Sequence, residues 1–161
     1  MIVLTHEDAM RAALAEARKA LDEGEVPIGA VVVRDGRIVG RGHNQVERLQ
    51  DATAHAEILA IGAASSTVGS WRLSDCALYV TLEPCVMCTG ALVLSRMGLL
   101  VYGAVDPKAG ACGSRIDVPA EPWLNHRLPT QSGMLGEECG GLLTAFFEMK
   151  RAAAGGAAGK D

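Results

Sequence analysis

Aromatic side chains are scarce in this 161-residue chain: two Trp, two Tyr and two Phe, 4% of the residues. A core must therefore be built from aliphatic side chains and alanine, and the 49% apolar content allows this within one globular domain. No apolar run approaches the roughly eighteen residues that a membrane-crossing helix needs. The opening MIVLTHEDAM lacks a basic stretch and runs straight into acids, so it does not read as a secretory leader. A cytoplasmic location is the expectation. Positive charge is also short, with a formal net charge of −4. That argues against indiscriminate binding to polyanions, because phosphate contacts come from Lys and Arg. It leaves room for a local patch, for which Arg34, Arg37, Arg41, Arg48, Lys108, Arg115, Lys150 and Arg151 are candidates.

The five cysteines are an odd number, and a disulfide framework is not expected in a chain of this length without a secretory leader. Cys76, Cys112 and Cys139 are solitary and read as small buried hydrophobes. Cys85 and Cys88 differ: they stand two residues apart in TLEPCVMCTGAL (81–92), just after Pro84.

Hydrophobic spacing gives a helix over 7–23, with Met10, Leu14, Ala17 and Leu21 on one stripe and Thr5 as N-cap facing Asp8. IGAVVV (28–33) and IVGRG (38–42) form a hairpin turning at Asp35-Gly36. A second helix begins near Thr53 and runs through 55–64. A strand at 77–81 precedes a helix that starts at Pro84. Another strand spans 98–105, a loop 106–114, and a last helix 136–151 with Leu142, Leu143, Phe146 and Met149 along one side. The Ala- and Gly-rich tail 152–161 reads as disordered, so the domain is expected to end at 151. Strand–helix–strand alternation predicts an α/β fold, a three-layer α/β/α sandwich with a mixed central sheet.

Two cysteines at this spacing bind a metal or exchange electrons. A redox pair leading a helix is one reading. A structural zinc ribbon needs a second close pair of ligands, and the other cysteines are solitary. A catalytic zinc centre needs one more ligand and an open position. TAHAEI (53–58) supplies a candidate in His55, at the start of a predicted helix as Cys85 and Cys88 are. Two helix N-termini would then face one ion and favour thiolate over thiol. Three protein ligands leave room for water, which zinc makes ionisable near neutral pH. Glu57, two residues from His55, could move that water's proton. His6, His43 and His126 are not expected to be ligands.

The combination His-x-Glu … Pro-Cys-x-x-Cys is the signature of zinc-dependent deaminases. Beyond it, EVPIGAV (25–31), LYVTLEPCVMC (78–88), DPKAGACGS (106–114), NHR (125–127) and FFEMKR (146–151) make the chain resemble the bacterial tRNA-specific adenosine deaminases, within the cytidine deaminase-like superfamily. The resemblance covers nearly everything except the tail. It departs at Ala52, where a proline often stands in that family.

The resemblance implies hydrolytic conversion of the wobble adenosine of a tRNA anticodon loop to inosine, one zinc ion per subunit, and a homodimer. It implies zinc ligation by His55, Cys85 and Cys88 and proton transfer by Glu57. Asn44 would hydrogen-bond the extruded nucleoside, with Ile28, Ala56, Glu83 and Pro84 around it. Asp106 and Lys108 would touch the sugar and phosphate beside the target, and Phe147, Lys150 and Arg151 would meet the RNA. Bland roles stand beside these: Asn44 as a turn support, Asp106-Pro107 as an ordinary turn, Lys150 and Arg151 as a solvated helix end. A deaminase of free guanine or cytosine would share the same core. A zinc-stabilised RNA-binding protein without turnover is the rival of a different class.

Overall fold

Asp35 and Gly36 both take positive φ, 51° and 71°, and this turn joins β1 (Gly29–Arg34) to β2 (Arg37–His43). Such a turn matches the twist of antiparallel strands. The computed structural model describes residues 3–158. On its other side β1 pairs antiparallel with β3 (Cys76–Leu82). From there the sheet continues in parallel through β4 (Leu99–Ala104) to β5 (Thr130–Ser132). The strand order is β2-β1-β3-β4-β5, a mixed five-stranded sheet.

Alternation along the strands sends side chains to both faces. Val31, Tyr79 and Val101 meet Ala9, Met10, Ala13 and Leu14 of α1 (His6–Asp22) and Cys139 of α5 (Gly136–Ala158). Val32, Leu78, Val80 and Leu100 face the opposite way, onto α3 (Ala56–Val68) and α4 (Val86–Leu94). Each fully buried Leu or Val contributes about 1.5–3 kcal/mol. The expected three-layer α/β/α sandwich is the observed one, and its core is mainly aliphatic. Cys76, Cys112 and Cys139 are buried and free, as small hydrophobes.

Thr5 caps α1 reciprocally: its hydroxyl accepts from the Asp8 amide, and the Asp8 carboxylate accepts from the Thr5 amide. The helix that matters most for the site, α3, lies close on β2. Cβ atoms added at Gly40 and Gly42 would sit 2.5 and 2.4 Å from the carbonyl oxygens of Ala60 and Ala56. Only glycine permits that approach.

Several expectations need correction. The tail does not begin at 152, because α5 continues through Arg151 to Ala158. Alanine is the strongest helix former and carries the helix past the expected end; residues 159–161 lie outside the described ones. Helices α3 and α4 start at Ala56 and Val86, two to three residues later than the sequence suggests. Met149 is 60% exposed rather than part of the apolar side of α5. The short α2 (Val46–Leu49) and the three-residue β5 were not anticipated. Among the described residues no helix is long and apolar enough to cross a membrane.

Candidate active site

Helices α3 and α4 lie on the same face of the sheet with their first turns close together. His55 is the N-cap of α3 and Cys85 the N-cap of α4. Both have extended backbones, and neither side chain caps its own helix. Their side chains are free to face each other. Thr89 firms the first turn of α4 by donating its hydroxyl to the Cys85 carbonyl at 2.8 Å.

His55 Nδ1 lies 3.7 Å from Cys85 Sγ and 3.5 Å from Cys88 Sγ. The three ligand atoms all lie within 4.8 Å of one another, and among the described residues this is the one such metal-ligating group. Ligand bonds of about 2.0–2.3 Å at tetrahedral angles would set neighbouring N and S atoms about 3.5–3.8 Å apart. The donor set, one imidazole and two thiols, suits a borderline-soft divalent ion. The residues therefore fit a metal centre with a fourth position left over. The other histidines are engaged elsewhere: His6 with the Tyr79 hydroxyl, His43 with Glu16 and Glu23, and His126 with the Met97 carbonyl.

The residues of this group shift one another's ionisation. A hydrogen bond from Cys88 lowers the Cys85 pKa to about 3, with His55 helping. Cys88 moves the opposite way, because its proton is held between Cys85 and Glu57 in a buried place. The bond to Cys85 raises His55. Glu57 is 4% exposed, and burial raises its pKa. A carboxyl in such a place holds a proton more readily than one in water.

Beside this group lies a cavity of about 220 Å³, lined by Val26, Ile28, Asn44, Val46, His55, Ala56 and Glu57. The expected site residues Ile28, Asn44 and Ala56 thus come together with His55 and Glu57. Asn44 donates its amide to the Val26 carbonyl at 3.3 Å and accepts from the Val46 amide at 3.2 Å. One donor hydrogen and one acceptor lone pair remain to it. Val26, Asn44 and Val46 also line a groove of about 400 Å³ that extends to Phe146, Phe147 and Lys150. Phe147 is exposed while its neighbour Phe146 is buried. Lys150 sits over the Phe146 ring at 5.4 Å. Arg151 is exposed and does not line the groove.

Glu83 and Pro84 are placed differently from the others. Both are buried, and the Glu83 carboxylate points into the loop 106–114 rather than into either cavity. Asp106 uses a side-chain oxygen to order its own turn, accepting from the Lys108 and Ala109 amides. Lys108 is exposed. Three of the candidate patch cations are committed to acids: Arg34 to Asp75, Arg41 to Glu16, and Arg48 to Glu23. The residues missed from sequence are Val26 and Val46. Val26 lies within EVPIGAV and Val46 two residues after Asn44, so position beside the quoted motifs was the available signal.

Residues 4–136 match the family of MafB19-like deaminases. The tRNA-specific adenosine deaminase of Bacillus subtilis (strain 168) is 51% identical over 142 residues, 88% of each chain. The chain belongs to the tRNA-specific adenosine deaminase family. Among solved structures, a tRNA:A34 deaminase, studied for A-to-I editing at the wobble position, is similar with a TM-score of 0.81 and 45% identity. The match covers 84% of this chain and 98% of that one. The guanine deaminase of Nitrosomonas europaea shares the fold at a TM-score of 0.76 but only 27% identity, over 91% and 86% of the two chains. In this member of the adenosine deaminase family, His55 is the one residue of the group His55, Cys85 and Cys88 that lines the cavity.

Proposed function

We propose that this chain converts the wobble adenosine of a tRNA anticodon loop to inosine, releasing ammonia. The observation that carries the reading is the metal-ligating group of His55, Cys85 and Cys88 set beside a cavity that His55, buried Glu57 and Asn44 line together. Higher identity to tRNA-specific adenosine deaminases than to the guanine deaminase supports the tRNA substrate.

In this reading His55, Cys85 and Cys88 hold zinc. When bound, zinc supplies a water that ionises near neutral pH. Everything else falls to the chain's own residues. The carboxylate of Glu57 takes one proton from the attacking water and passes it to the purine ring nitrogen. It then carries the second, from the hydroxyl added to the purine, to the departing amine, which leaves as ammonia. The raised affinity of this buried carboxyl for protons suits it to both halves of the transfer. Asn44 uses its spare donor and acceptor on the nucleoside, while Ile28 and Ala56 wall the pocket and exclude bulk water. The adenosine must leave its stack to reach Glu57, and a loop base does so at lower cost than a paired one. Phe147 offers a ring for a neighbouring base, and Lys150, Arg151, Asp106 and Lys108 serve the backbone around it.

The proposal includes a homodimer. Val86 and Leu94 on α4 are 60% and 71% exposed in the single chain, an apolar face that a second copy would cover. A cytoplasmic setting, with reduced thiols and tRNA at hand, completes it.

The test is product formation by the purified zinc-loaded protein. An anticodon stem-loop bearing a wobble adenosine is incubated beside free guanine, cytosine and adenosine. Inosine in the stem-loop is expected; turnover of a free base without the RNA would replace the proposed substrate.

A further inference from the structure

Glu83 is 2% exposed and stands two residues before Cys85. One carboxylate oxygen accepts from the Asp106 amide at 3.1 Å and from the Ser114 hydroxyl; the other accepts from the amides of Cys112 and Ser114 at 3.1 and 3.2 Å. All these donors belong to the loop 106–114. A carboxylate so surrounded is a strong acceptor. It also leaves no room beside it: a Cβ added at Gly110 would lie 2.2 Å from the Glu83 side chain.

The same loop is tied to the metal-ligand segment between Glu83 and Cys85 as well: the Ala111 amide donates to the Pro84 carbonyl at 2.9 Å. Cys112 Sγ lies 3.4 Å from the Thr89 hydroxyl, which itself holds the Cys85 carbonyl. Loop and ligand segment are therefore held as one body. The loop's exposed member, Lys108, has its amide fixed by Asp106 and forms no ion pair among the described residues.

We infer that Glu83 is a positioning residue, whose buried carboxylate locks the loop 106–114 onto the metal-ligand segment and thereby sets where Lys108 stands relative to the reacting base. The inference rests on the reading that this loop meets the tRNA. Its consequence is energetic coupling: Lys108 helps to bind RNA only while Glu83 holds the loop.

The experiment is a double-mutant cycle on the full-length, zinc-loaded protein, reading zinc content and KM for the anticodon stem-loop. Glu83→Ala is expected to keep its zinc and to raise KM by about tenfold or more. Lys108→Ala alone is expected to raise KM by about three- to tenfold, the loss of one phosphate contact. The double variant should be no worse than Glu83→Ala. If Glu83→Ala does not fold, Ser114→Ala, which removes a single donor, should raise KM less and partly mask Lys108→Ala. Penalties that simply multiply would overturn the inference, as would loss of zinc that accounts for the whole defect. A wild type that leaves the stem-loop unchanged would instead refute the tRNA reading, and this inference with it.

Discussion

His55 and Cys85 hold the same position in two different helices. Each is the residue before the first turn, with φ and ψ of −76° and 153° for His55 and −74° and 177° for Cys85. At such positions Ser, Thr, Asp or Asn usually turns back to accept from its own helix. Here neither side chain does, and the two meet with Nδ1 and Sγ 3.7 Å apart. Two uncapped helix N-termini thus converge on one place, and their exposed amides favour negative charge there.

That arrangement predicts a thiol pattern that depends on metal. Burial raises the pKa of Cys76, Cys112 and Cys139 to about 11 in each case. These three should resist a thiol reagent at pH 8 in the native protein. Cys85 is already a thiolate in the metal-free protein and half-buried. Zinc-loaded protein should therefore label slowly, and chelation should release a fast-reacting thiol that mass spectrometry places at Cys85. Fast labelling of the zinc-loaded protein at Cys85 would contradict a metal bound there.

Acid should loosen the loop 106–114 before the rest of the fold. Burial opposes ionisation of Glu83, but the Ser114 hydroxyl and three backbone amides outweigh it and lower its pKa below the ordinary 4.5. A folded pKa below the unfolded one stabilises the fold above the unfolded value, and that contribution is lost as pH falls through the folded value. Amide exchange at Cys112 and Ser114 should therefore accelerate below about pH 4.5, beyond the intrinsic pH dependence. In Glu83→Gln the loop should already exchange fast at neutral pH, with little further change on acidification.

Seating of α3 on β2 should control metal affinity from a distance. Gly42→Ala forces a methyl group against the Ala56 carbonyl, 2.4 Å away, at the start of the helix that carries His55. Overpacking of this kind costs about 1–3 kcal/mol. A lower urea midpoint and weaker zinc retention against a chelator are expected together. A stable variant with unchanged zinc affinity would separate the strand from the site.

Leu94→Glu should shift the protein toward monomer in sedimentation velocity, because a charge replaces a 71%-exposed leucine on the apolar face proposed to be covered. A wild type that sediments as a monomer at micromolar concentration would remove the dimer from the proposal.

Much of this was legible in the residues. The capping pair of Thr5 and Asp8, the Asp35-Gly36 turn and the apolar runs of β1 and β3 each carry a local signal, and the structure repeats them. The group of His55, Cys85 and Cys88 was legible because ligand chemistry restricts both residue type and spacing. What was not legible has physical causes. The strand Thr130–Ser132 is exposed throughout, so it shows no apolar alternation. Helix starts were placed too early because His55 and Cys85 are unusual N-caps and Pro84 lies outside the helix it precedes. The Ala-rich tail reads as disorder by complexity and as helix by propensity, and propensity prevails to Ala158. The inward task of Glu83 left no trace in spacing, since its partners lie more than twenty residues away. Nor does sequence say which acids stand opposite the candidate cations Arg34, Arg41 and Arg48, and the structure sets Asp75, Glu16 and Glu23 there.

The most direct test compares wild type with Glu57→Ala at equal zinc content, scoring inosine at the wobble position of an anticodon stem-loop. The proposed chemistry predicts robust product from wild type and a rate lower by at least about 10² from the variant, with one zinc retained in each. Equal rates from the two proteins would show that the buried carboxylate moves no proton in the reaction.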